Sequence, residues 1–133
     1  MSIRRPNNHE AERVVFFYDH ASKTADEEIK LFKVRRKFVV EQVRYVNPTG
    51  LAADAANFFH LKINNGATEA ADWSTETGQE GTVAADTFVD FTLSSVDGAR
   101  VFDADDVLSI QFDETGTATL PAGRIQIEGR YIQ

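Results

Sequence analysis

The chain has 133 residues, no cysteine and a formal net charge of −7 at pH 7. This length predicts one domain with its own hydrophobic core, and the absence of cysteine excludes disulfides and thiolate metal sites. No apolar stretch approaches the roughly 18 residues of a membrane span, and residues 1–6 lack the apolar core of a signal peptide, so we expect neither membrane insertion nor export by that route.

The charge is divided unevenly along the chain. Residues 1–45 carry ten Lys or Arg and seven Asp or Glu, a net +3, whereas residues 46–133 carry four and fourteen, a net −10. An acidic body repels phosphate, so we expect no nucleic acid partner. The basic triplet Arg35, Arg36 and Lys37 is predicted to be a solvated loop between strands, with contact to a negatively charged neighbour as the alternative.

The N-terminal segment is polar up to residue 13, and we expect it to lack structure when alone. The apolar run at residues 14–18 predicts a strand buried on both faces, either inside a sandwich or against a partner chain. We therefore predict an N-terminal arm over residues 1–28 and a sandwich over residues 29–133. In the alternative, residues 14–18 are the first strand of their own sandwich and only residues 1–13 fray. The predicted contact residues of the arm are Arg4, Arg5, Arg13, Phe16, Phe17 and Tyr18.

The rest of the chain alternates apolar and polar residues in short segments, which is the pattern of half-buried strands. Phe59, Leu61 and Ile63 are predicted to share the inner face of a strand that ends in a turn at residues 64–66. Further strands are predicted over residues 38–46, 89–93, 107–112 and 124–131.

Two stretches have a composition that helices favour, residues 52–57 and 68–73. Each is long enough for no more than about two helical turns, so both are assigned to loops. About seven or eight strands separated by turns predict an all-β fold. The expected architecture is an antiparallel β-sandwich, jelly-roll-like, with an N-terminal arm.

The sequence contains no recognisable catalytic set. No serine lies in a Gly-x-Ser-x-Gly context, and no Gly-rich phosphate loop or His-Glu-x-x-His motif is present. Asp103, Asp105 and Asp106 lack the spacing and the glycine of an EF-hand loop, and we predict that they cap a tight turn. We therefore expect no enzymatic activity, no cofactor and no metal site.

Trp73, which precedes Ser74 and Thr75, has two interpretations. It is either a core or interface side chain, or a platform on which a sugar ring stacks. We place it, with the basic triplet and the residues of the arm, among the predicted partner-binding residues.

Four segments resemble small virion proteins of tailed bacteriophages. They are residues 45–54 (YVNPTGLAAD), 71–78 (ADWSTETG), 81–88 (GTVAADTF) and 113–124 (DETGTATLPAGR). The resemblance extends over roughly residues 38–132 and leaves out the first 37 residues. It implies a capsid decoration protein or another head-associated subunit, with a β-sandwich that oligomerises on the capsid surface.

The resemblance leads to one main functional expectation and two alternatives. The main expectation is a non-enzymatic decoration protein, made in the host cytoplasm and bound as a homo-oligomer, with a trimer favoured, to the major capsid protein of a phage head. The first alternative is a tail, baseplate or head-fibre adaptor of the virion. The second is a carbohydrate-binding module, and an enzyme is the least expected class.

Overall fold

Two antiparallel β-sheets make up the computed structural model, which describes the backbone of residues 12–132 and the side chains of residues 13–132. This part of the chain has no helix that is long and apolar enough to cross a membrane. In chain order its ten strands are β1 (Glu12–His20), β2 (Glu27–Lys33), β3 (Phe38–Val46), β4 (Phe58–Asn65), β5 (Thr68–Ser74), β6 (Val89–Asp90), β7 (Thr92–Leu93), β8 (Val101–Phe102), β9 (Val107–Thr115) and β10 (Gly123–Tyr131).

The strands form two sheets that pack around one core. Sheet 1 has the order β1-β10-β3-β6, with β8 also paired to β3, and sheet 2 has the order β2-β9-β4-β5-β7. Between the sheets, the rings of Tyr45 on β3 and Trp73 on β5 lie 5.6 Å apart at their centroids. This arrangement confirms the predicted all-β class and its two antiparallel layers.

Period-two alternation correctly predicted which side chains of β4 face the core. Phe59, Leu61 and Ile63 are all buried, because alternate residues of a strand point to the same side of its sheet. The predicted turn follows β4, and Gly66 adopts a φ of 60°, a left-handed conformation that glycine tolerates well. On β9, Leu108, Ile110 and Phe112 line the core in the same way.

The predicted single strand over residues 89–93 is divided between the two sheets. β6 pairs with β3 in sheet 1, and β7 pairs with β5 in sheet 2. Between them, the Phe91 amide donates to the Val43 carbonyl at 2.8 Å, and its side chain is buried. The alternation is preserved, but the backbone passes from one sheet to the other at the edge of the sandwich.

The prediction of a loop at residues 68–73 was wrong, because Thr68–Ser74 forms β5. Alanine and glutamate are weak strand formers by composition, and here pairing with β4 overrides that preference. Ala70, Ala71 and Trp73 supply the buried side of the strand. Residues 52–57 lie outside the named strands, as predicted.

The predicted boundary between an arm and a sandwich at residue 28 differs from the structure. β1 pairs along all nine of its residues with β10 and is therefore a strand of the chain's own sandwich. Its inner side chains, which include Phe16 and Tyr18, pack on the core and account for the apolar run. Residues 1–11 of the predicted arm, with Arg4 and Arg5, lie outside the described residues. A truncation that tests the arm should end at residue 11, because β1 begins at Glu12.

Candidate interaction surface

β1 forms one edge of sheet 1 and presents an apolar outer face. Within residues 12–132 it pairs on one side only, with β10, so the backbone groups on its other side are available to a further strand. Val15 and Phe17 point outward and are 45% and 55% exposed. The sequence predicted burial on both faces of this strand, but only its inner face packs on the core, and Val15 and Phe17 on its outer face are exposed.

The Phe17 side chain lies beside an ion pair that joins β1 to β10. The Arg124 guanidinium lies 5.2 Å from the centroid of the Phe17 ring and forms two hydrogen bonds to Asp19, at 2.6 and 3.1 Å. The hydrogen bond from Arg124 lowers the pKa of Asp19. Because both charged groups are exposed, the pair adds little stability and mainly orients Arg124.

An open cavity of about 420 Å³ continues this surface past Arg124. Phe88, which is 52% exposed, lines it together with Val46 and Pro48. Phe17 and Phe88 are two of four exposed large hydrophobic residues in the described chain. We refer to the surface formed by Val15, Phe17, Phe88 and Arg124 as the edge patch.

The fold brings the predicted basic residues to one end of the sandwich. The guanidinium groups of Arg35 and Arg36 lie 5.6 and 4.7 Å from the centroid of the Tyr131 ring. The carbonyl of Lys37 accepts a hydrogen bond from the Ile132 amide at 2.9 Å. All three basic residues of this loop are exposed.

Arg13 lies at the same end, because the start of β1 pairs with the end of β10. It is opposite Arg130 in the register, and its guanidinium donates to Glu41 at 3.0 Å. We call Arg13, Arg35, Arg36 and Lys37 the basic end. Arg13 is distant from the other three in the sequence, and the pairing of β1 with β10 places it at the same end.

Three residues predicted to bind a partner point into the protein instead. Trp73 is 1% exposed and lies in the core, so it is available neither to a partner nor to a sugar ring. Phe16 stacks on Phe32 at 4.3 Å, and Tyr18 is packed against the core. Strand alternation explains the inward direction of Phe16 and Tyr18, because both lie next to Phe17, which faces outward.

The acidic turn at residues 103–106 has the geometry predicted for it. The Asp106 carboxylate accepts hydrogen bonds from the Asp103 amide at 2.8 Å and from Asn65 Nδ2 at 2.9 Å. These bonds, first that from Asn65, lower the pKa of Asp106. Asp105 adopts a φ of 76°, so the segment is a tight turn that its own side chain stabilises.

A buried polar network holds the end of β1, and sequence analysis did not predict it. His20 is 2% exposed, and its Nε2 lies 2.7 Å from the Tyr45 hydroxyl, while Nδ1 lies 2.8 Å from the Ala21 carbonyl. This geometry fits a neutral ring that donates from Nδ1 and accepts at Nε2. Burial lowers the pKa of His20 and raises the pKa of Tyr45 to about 12.

The neutral state of His20 makes the protein less stable in mild acid. Because burial lowers the pKa of His20 from 6.5 in the folded protein, His20 takes up a proton at a higher pH in the unfolded chain than in the folded protein. The unfolded state then binds more protons, so the free energy of unfolding falls as the pH drops. We expect His20→Gln to show a smaller loss than wild type in urea denaturation between about pH 7.5 and about pH 5.5. Equal losses in the two proteins would contradict the assignment.

His60, Glu69 and Asp72 meet on the outer face of sheet 2, a cluster that the sequence analysis missed. His60 Nε2 lies 2.8 Å from Asp72 Oδ2 and 4.0 Å from Glu69 Oε1. All three side chains are accessible to solvent, with exposed fractions of 32%, 43% and 31% for His60, Glu69 and Asp72. Among the described residues, this is a group that has the donor atoms to hold a metal ion.

A β-bulge explains why the spacing of Glu69 and Asp72 concealed this cluster. Residues three apart on a regular strand point to opposite faces. Ile63 pairs with Ala71 and Asn64 pairs with Glu69, so Ala70 is an extra residue in β5. The bulge turns Glu69 to the outer face beside Asp72.

The comparisons with known proteins identify no relative. No protein-family model matches the chain, and no curated protein sequence matches it significantly. The resemblance to phage virion proteins therefore stays a prediction.

Proposed function

We propose that this chain is a non-enzymatic structural subunit of a tailed-phage virion, a capsid decoration protein on the outer surface of the head. In this proposal it binds the major capsid protein and bridges neighbouring capsid subunits as a homo-oligomer, with a trimer favoured. The observation that carries the proposal is the edge patch, where exposed apolar side chains lie on and beside β1, a strand that within the described residues pairs on one side only.

The strand order supports a jelly roll as the finer description of the sandwich. Four strands of sheet 1, in the order β1-β10-β3-β6, correspond to four of sheet 2, in the order β2-β9-β4-β5. Strands at the same place in the two orders are consecutive in the chain: β1 and β2, β10 and β9, β3 and β4, and β6 and β5. The ring contact between Phe16 and Phe32 links the first of these pairs across the sandwich. Viral capsid and lectin domains are among those that use this architecture, so by analogy of fold alone it is compatible with the virion and carbohydrate candidates.

The chemistry of the proposed surface suits a protein partner. Interfaces are enriched in aromatic and arginine side chains, and the edge patch combines two phenylalanines with Arg124. The basic end adds positive charge to a chain whose net charge is −7. A neighbouring copy or a capsid subunit with an acidic surface would complement it.

Substitution of Phe17 tests the proposal. In Phe17→Glu, a charge replaces an exposed aromatic ring beside Arg124, so we expect the fold to persist and partner binding to fall about tenfold or more. Val96→Glu is the matched control, because Val96 is 70% exposed and lies outside the edge patch. The number of copies per particle is measured by quantitative mass spectrometry on phage particles purified with each variant as the sole source of the protein.

The outcomes separate the candidate functions. Decoration through the edge patch is supported if wild type and Val96→Glu are found on heads and Phe17→Glu is not. The melting temperature of Phe17→Glu must then equal that of wild type. Copies found only on purified tails favour the adaptor alternative, and absence from particles with retention on a glycan array favours the carbohydrate-binding module. Equal head binding by both variants would show that the edge patch is not the contact.

A further inference from the structure

We propose that His60, Glu69 and Asp72 bind a divalent transition-metal ion, of which Zn²⁺ is the representative, on the outer face of sheet 2. This site is independent of the proposed virion function, because it lies on the sheet opposite the edge patch. An imidazole and two carboxylates form a donor set that Zn²⁺ accepts readily, with His nitrogen and carboxylate oxygen as ligands.

The distances between the donor atoms match a shared ion. Ligands about 2.1 Å from a tetrahedral Zn²⁺ lie roughly 3.4 Å from one another. The distances from His60 Nε2 are 2.8 Å to Asp72 and 4.0 Å to Glu69, and all three ligand atoms lie within 4.8 Å. These values lie on either side of the required spacing, so small side-chain rotations would complete the geometry.

The backbone already holds the three ligands on one rigid surface. His60 lies on β4, Glu69 and Asp72 lie on β5, and the two strands are hydrogen-bonded neighbours within sheet 2. The bulge at Ala70 orients Glu69 without a flexible loop. Binding a metal ion should therefore cost little backbone conformational entropy.

The electrostatics of the cluster favour a cation. The carboxylate oxygens of Glu69 and Asp72 and the His60 nitrogen all lie within 4.8 Å of one another, so the two negative charges repel each other. A divalent ion between the two carboxylates would relieve their repulsion. The Lys62 ammonium lies 3.2 Å from the Asp113 carboxylate on β9 and forms an ion pair with it.

Metal binding changes the proton on His60 and leaves one coordination position open. In the structure Nε2 is placed to donate its hydrogen to Asp72. A metal ion binds Nε2 only when this nitrogen carries no hydrogen. The neutral ring of the metal-bound form would therefore carry its proton on Nδ1. Three protein ligands leave the fourth position of a tetrahedral Zn²⁺ to water or to an acidic group from outside the chain.

The test is calorimetric titration of Zn²⁺ into the tag-free full-length protein, with Co²⁺ absorption as a second measurement. We expect one equivalent to bind with a dissociation constant of about 10 μM or lower, and tetrahedral Co²⁺ bands to appear in the visible spectrum. In His60→Gln and in Asp72→Asn the affinity should fall at least about tenfold. Circular dichroism establishes that each variant is folded.

Two controls exclude other binding places. His9→Gln removes a histidine outside the described residues, and Asp103→Asn alters the acidic turn, so both should bind as wild type does. In the long-range ¹H–¹⁵N spectrum, Zn²⁺ should shift the imidazole signals of His60 and leave those of His20 in place. The proposal is overturned if Zn²⁺ binds only in the millimolar range, or if His60→Gln retains wild-type affinity.

Discussion

Phe91→Ala and Ile110→Ala should each lower the free energy of unfolding by about 2 to 5 kcal/mol. Both side chains lie in the core, with exposed fractions of 4% and 0%. Removing them deletes buried apolar surface and leaves a cavity that the closely packed sheets can fill only in part. Ile110 lies in the middle of sheet 2, between Ile29 on β2 and Ile63 on β4.

Phe91 tests a second feature, because its backbone connects the two sheets. If the crossing at the sandwich edge relaxes around the smaller side chain, the loss for Phe91→Ala should lie nearer the lower end of the range. Urea denaturation of the purified variants measures both losses. Val96→Ala, at an exposed position, should stay within about 0.5 kcal/mol of wild type. Losses below about 1 kcal/mol for both core variants would contradict the assignment of the inner faces.

Asn47→Ala should be destabilising by about 2 to 4 kcal/mol, even though it removes a polar side chain. Asn47 is fully buried at the end of β3. Its Nδ2 donates to the Tyr45 hydroxyl at 3.0 Å and to the Pro121 carbonyl at 2.8 Å. Its Oδ1 accepts from the amides of Thr49 and Gly50, at 3.0 and 3.2 Å. Alanine would remove these four bonds, and the one to the Tyr45 hydroxyl is buried, where water does not readily replace it. The Gly50 amide keeps its bond to the Asn47 carbonyl.

A matched asparagine distinguishes this network from a general effect of the substitution. Asn64→Ala removes a half-buried asparagine on β4 and should change the free energy of unfolding by about 0.5 kcal/mol or less. Tyr45→Phe, which removes only the hydroxyl, should cost less than Asn47→Ala because Asn47 keeps its bond to Pro121. A loss for Asn47→Ala as small as that for Asn64→Ala would show that water replaces the missing bonds.

Part of the interaction surface was predictable from the sequence. The basic triplet is an exposed loop between β2 and β3, as its composition indicated, and Phe17 is exposed as a partner-binding residue must be. Trp73 lies in the core, which was one of its two interpretations, and not at a partner or sugar surface. Its neighbours Ser74 and Thr75 are polar but also buried, so polar neighbours do not predict exposure here.

The β class and the inward faces of the regular strands follow from the residues alone, because period-two alternation is a local property of each strand. Three features follow from the folded arrangement instead: which strand lies at an edge, where residues 89–93 change sheets, and the position of Arg13 at the basic end. The folded arrangement alone decided the meeting of Glu69 with Asp72 and His60, because a single bulge residue reverses the facing of everything before it. These features depend on the pairing and register of strands, which the alternation within a single strand does not encode.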